Sequence, residues 1–197
     1  MVQRALTVSL LLLAINSATM TGTPKSVSGS RGDELKAAFA ELKANPDDQV
    51  AQRRYLQVFP HDYRRFLALF GAGGSLADGY QCDYIFALSP LQVGHSSEVG
   101  RLLVQLTKDA EYQADAPSCL QNVTATYASS YTKAFAGFLH ALSVKECEQV
   151  ITFLSDANVW THPEYQRIIK NLKRLNESEL VKQFQEAQIA RSREPRS

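Results

Sequence analysis

The side chains with most capacity for nucleophilic, acid–base or metal chemistry are four histidines, His61, His95, His140 and His162, and three cysteines, Cys82, Cys119 and Cys147. Their spacing is the first test of that capacity. None of the histidines belongs to an H-E-x-x-H run or to a Cys/His zinc pattern. His95 and Glu98 could share a helix face, but di-iron sites in helical bundles need two E-x-x-H pairs and further carboxylates. The sequence therefore points to no metal and no cofactor. Gly73, Gly74 and Ser75 hint at a nucleophile elbow, which requires a preceding strand and the closing residue of G-x-S-x-G; here a helical pattern precedes and Ala77 stands at the end. The same stretch lacks the Lys-Ser/Thr end of a phosphate loop and the third glycine of a dinucleotide fingerprint. An enzyme would have to assemble its site by folding, from groups such as Asp83, His140, Glu146 and Glu148. Of these, His140 lies among Phe138, Leu139 and Leu142 and reads as a partly buried, hydrogen-bonded residue.

Trp160, the single tryptophan, stands two places before His162 and invites reading as a binding site. Its neighbours explain it differently. Thr161 and Glu164 have the S/T-x-x-E spacing of a capping box, which puts Trp160 and Tyr165 at the two positions of a hydrophobic staple. Ser143 and Glu146 repeat the box one helix earlier, with Leu142 before the cap.

Those caps belong to a chain of 197 residues, 45% hydrophobic and 21% charged, ordinary values for one globular domain. A formal net charge of +1 leaves no broad basic surface for phosphates or anionic lipid, so nucleic acid is not an expected partner. Residues 1–19 read as a cleaved signal peptide: Arg4, an apolar run over residues 5–15, then small polar residues ending near Ala18. That run is shorter than the roughly 20 residues a membrane span needs, so no permanent span is expected. Residues 20–32 read as a flexible leader and residues 191–197 as a disordered basic tail. The RGD tripeptide at Arg31 to Asp33 is explained by chance and by helix capping through Asp33. Asn122 and Asn176 match glycan acceptor patterns but fall in or beside helical stretches.

Between leader and tail, residues 33–190 read as one all-α domain, an irregular bundle of about eight helices. Leu35, Ala38, Phe39 and Leu42 repeat at helical spacing behind Asp33, and Asn45 and Pro46 stop the run. A second helix starts at Asp47 or Asp48 and reaches about Phe59. A third carries Tyr63, Phe66, Leu67 and Phe70 and stops at Gly71. Further helices are expected near residues 76–88 and 97–111, and over 116–142 as one long helix, with two more behind it. The first two, joined by Asn45 to Asp48, faintly resemble a tetratricopeptide-type hairpin, but no second copy follows at a period of about 34 residues, which disfavours an array. A continuous helix over 116–142 would be about 40 Å long and would hold Cys119 far from Cys147. Cys82 is therefore expected to pair with Cys119 in an oxidising compartment, leaving Cys147 free.

These features describe an exported protein, periplasmic or extracellular, that acts by binding another protein, as an inhibitor or a toxin-neutralising immunity protein does. The expected contacts lie on the loops at 71–80 and 155–162, through Asp78, Tyr80, Asp156, Asn158 and Trp160. An envelope hydrolase is the alternative.

Overall fold

Helical spacing without a competing strand signal is realised as ten helices and no strand among the described residues. The computed structural model describes residues 27–77, 81–111, 116–155 and 163–192. Within them no helix is long and apolar enough to cross a membrane.

The first three helices are α1 (Val27–Ala44), α2 (Gln49–Val58) and α3 (Tyr63–Phe70). Helix α1 begins six residues before Asp33, so that aspartate lies within the helix instead of capping it. The RGD tripeptide is consequently helical. Its Gly32 is buried, and a Cβ there would come within 2.7 Å of Ser75 Oγ, so the glycine is explained by close packing. Asp48 and Asp62 cap α2 and α3, their carboxylates accepting from the amides of Val50 and Arg65 at 2.9 and 2.8 Å. Phe39, Tyr55, Phe59, Phe66 and Phe70 then stack in tilted pairs where α1 to α3 meet.

Helix α4 (Gln81–Phe86) is a six-residue piece and α5 (Leu88–Thr107) a long one, kinked at His95, whose φ of −128° and ψ of 34° are not helical. At the centre lies α6 (Ala116–Ser130), in contact with α4, α5, α7, α8 and α9 and buried on nearly every side. Two of its buried polar side chains are satisfied at hand, Thr124 Oγ1 donating to the Leu120 carbonyl at 2.7 Å and Gln121 Nε2 to the Phe153 carbonyl at 2.5 Å. The expected long helix over 116–142 breaks at Tyr131, and α7 (Thr132–His140) follows. Asn171 secures the break: its Nδ2 donates to the Ser129 carbonyl at 3.1 Å and to Thr132 Oγ1 at 3.2 Å. Neither proline nor glycine marks this joint, and the carbonyl it frees is satisfied from another helix.

Helices α8 (Val144–Leu154), α9 (Pro163–Arg174) and α10 (Ser178–Ser192) close the bundle. The capping box of α8 is formed, with Ser143 N donating to Glu146 Oε2 at 3.0 Å. Tyr165 is buried in α9, its hydroxyl donating to the Phe184 carbonyl at 2.9 Å, whereas Trp160 and Thr161 lie outside the described residues.

Candidate functional site

An open cleft of about 690 Å³ is walled by α1, α2, α4 and the first half of α5. Its floor is Phe39 and Leu42 from α1 and Leu91 from α5, and its rim carries Phe86 and Val93. Those two rim residues are 43% and 85% exposed, large apolar groups left in water beside an apolar hollow. Three of the cleft's side chains are charged: Lys43, Asp47 and Asp83. The ammonium of Lys43 lies 5.3 Å from the centroid of the Phe39 ring, while neither aspartate has an ion-pair partner among the described residues.

Local chemistry holds each wall in place. Six residues cannot sustain a helix unaided, and α4 is anchored by the Cys82–Cys119 disulfide, whose Cα atoms are 5.6 Å apart, and by buried Tyr84 and Ile85. Tyr55 of α2 adds a hydrogen bond, its hydroxyl donating to the Tyr84 carbonyl, and burial raises that hydroxyl's pKa well above the ordinary tyrosine value. At the far wall Gln52 organises a small network. Its Nε2 donates to the Pro46 carbonyl at 2.6 Å, so its Oε1 is turned toward His95 Nε2 at 3.0 Å and Gln49 Nε2 at 3.1 Å. That orientation makes His95 the donor through Nε2 and directs Nδ1 toward Glu98 Oε2, 3.6 Å away. The kink in α5 and the turn after α1 are thereby joined across the base of the cleft.

Outside this cleft the reactive side chains are dispersed. The disulfide joins the expected pair, although the helix whose length favoured that pairing is broken at Tyr131. Cys147 is free and buried, and its thiol pKa is raised by burial and by the Glu148 charge. His140, expected among core side chains, is 55% exposed, because the end of α7 turns it outward to Glu177 Oε2 at 2.8 Å. Glu146 is taken up by its cap and by Lys108 Nζ at 2.6 Å, and Glu148 is exposed. Of the four groups from which a hydrolase site might be assembled, only Asp83 lines the cleft. No group of three or more His, Cys, Asp or Glu able to hold a metal occurs among the described residues. Asp78, Tyr80, Asp156, Asn158 and Trp160 lie outside those residues.

The Lys108–Glu146 pair carries a pH signature. Hydrogen bonds from Lys108 and Ser143 lower the Glu146 pKa to about 2. A depressed carboxyl pKa stabilises the fold above its unfolded value, and that stability is lost as pH falls through the folded value. The melting temperatures of wild type and Glu146→Gln should thus differ by a constant amount above about pH 5 and converge between pH 4.5 and 2. A difference that does not change with pH would show that the carboxylate charge contributes nothing there.

The fold and cleft define a disulfide-linked all-α protein with an open cleft that has an apolar floor. No family model, curated protein or solved structure matches the chain.

Proposed function

We propose that this is an exported protein, periplasmic or extracellular, that acts by binding another protein, and that the cleft between α1, α2, α4 and α5 is its working surface. The observation that carries this reading is the placement of exposed apolar side chains. Phe86 and Val93, both exposed, stand on the rim of one hollow whose floor is apolar. Exposed apolar side chains beside an apolar hollow, edged by charge, are what protein interfaces present. Export is supported by the apolar run at residues 5–15 and by the disulfide, which persists in oxidising compartments. Asp78 and Tyr80, just before α4 in the sequence, and the 156–160 stretch remain part of the proposed contact surface.

A photoreactive residue placed at Val93, and at Val144 as a control that is exposed to a similar degree, tests the reading in the cell that makes the protein. One adduct with a different protein from the Val93 position, and none from Val144, is the expected result. No adduct from either position, or equal labelling from both, would contradict it.

A further inference from the structure

The shape and charge of the cleft say what kind of segment it takes. This inference rests on the binding role just proposed and deepens it. The α5 wall extends from Ala87 to Gly94, a helical rise of about 10 Å, which matches two turns of a second helix laid alongside. A guest helix of that length presents apolar anchors at i, i+3 or i+4, and i+7. No strand, and so no sheet edge, exists among the described residues to pair with an extended guest. A helix has already satisfied its own backbone and needs only apolar floor and flanking charge. The floor is provided by Phe39, Leu42 and Leu91.

The charge selects the guest further. Two carboxylates, Asp47 and Asp83, face the cleft without ion-pair partners among the described residues, against one ammonium, Lys43, that already lies over the Phe39 ring. The chain as a whole is near neutral, at +1. Within the cleft the balance is therefore negative, whereas the chain as a whole is not. We infer that the cleft binds an amphipathic helix of a partner protein, one whose apolar stripe enters the hollow and whose flanking lysines or arginines meet Asp47 and Asp83.

A synthetic 15-residue helix of leucine and lysine in an i, i+3, i+4, i+7 pattern is the probe, with a leucine and glutamate peptide of the same pattern for comparison. Titration into the oxidised full chain, followed by backbone amide shifts, should move Phe86, Leu91 and Val93 with the lysine peptide and at least tenfold less with the glutamate one. Asp47→Asn with Asp83→Asn should weaken binding about three- to tenfold, as expected for two rim ion pairs, and remove most of its salt dependence. Val93→Asn, which removes the apolar contact without adding charge, should weaken it severalfold, with an unchanged melting temperature because Val93 is 85% exposed. Equal binding of both peptides, or shifts scattered away from the cleft, would overturn the inference. So would a dimer in sedimentation that Val93→Asn dissolves, since a second copy would then fill the cleft. In the first two cases a heterologous adduct from Val93 would leave the binding role standing with a guest of other chemistry. Peptide failure together with no adduct would remove both.

Discussion

Changing Cys82 and Cys119 together to serine should lower the melting temperature by about 8–15 °C. The two half-cystines are 37 residues apart. Restricting an unfolded loop of that size is worth about 4 kcal/mol on the chain-entropy account. For a chain in the range of 150–250 residues each kcal/mol shifts the midpoint by about 2–4 °C. The same change has a local consequence, because α4 is a single short helix whose covalent tie to α6 is this bond. Amide exchange in α4, and with it the Phe86 and Asp83 side of the cleft, should therefore accelerate more than exchange in α6. Calorimetry and hydrogen exchange on the double variant check both parts. An unchanged midpoint would mean that packing of Tyr84 and Ile85 alone anchors α4.

Gly100→Ala should cost roughly 3 kcal/mol, a fall of about 6–12 °C. In an exposed helix interior the same change would stabilise by about 0.5–1 kcal/mol, because alanine restricts the unfolded chain and glycine does not. Here the sign reverses. A Cβ at residue 100 overlaps the Tyr127 ring at Oη and Cζ and lies 2.6 Å from Cε1, atoms of a side chain that is fully buried and stacked on Tyr131 with 5.2 Å between centroids. Tyr127 cannot retreat, so α5 and α6 must separate. The same tyrosine has a hydroxyl with no hydrogen-bond partner among the described residues, and burial pushes its pKa up to about 12. Tyr127→Phe removes an unpaired buried polar atom and should raise stability by about 1 kcal/mol. It leaves the overlap at Cζ in place, so it should not rescue Gly100→Ala. Full rescue by Tyr127→Phe would show that only the hydroxyl is crowded.

Helical spacing and capping chemistry account for what was legible in the sequence. Asp48, Ser143 and Glu146 act through their immediate neighbours, and local hydrogen bonds of that kind can be read from residue type and offset. The breaks are another matter. Tyr131 leaves the helix because Asn171, forty residues on, provides a donor for the carbonyl freed there, and the kink at His95 is held by Gln52. Partners distant in sequence leave no periodic trace. His140 was misplaced for a related reason: its apolar neighbours Phe138 and Leu139 suggested a core setting, but the residue lies at the end of a nine-residue helix and points away from them.

The cleft was illegible for the opposite reason. Phe39, Leu42, Phe86 and Leu91 look like any other core residues in a helical pattern, and nothing local shows that Phe86 stays 43% exposed while Phe66 is fully covered. Only the meeting of four helices decides that. Asp83 was singled out as a possible catalytic carboxylate, and it does line the cleft, beside apolar side chains and without a histidine or cysteine among the lining residues.

The photoreactive side chain at Val93 tests the central claim most directly, because it reports on the cleft, the partner and the compartment in one experiment. Mass spectrometry of the purified adduct should show this chain, starting near residue 20 and retaining its disulfide, joined to one other protein through a helical segment. An adduct with a second copy of itself, or a chain that still begins at Met1 and carries no adduct, would contradict the account.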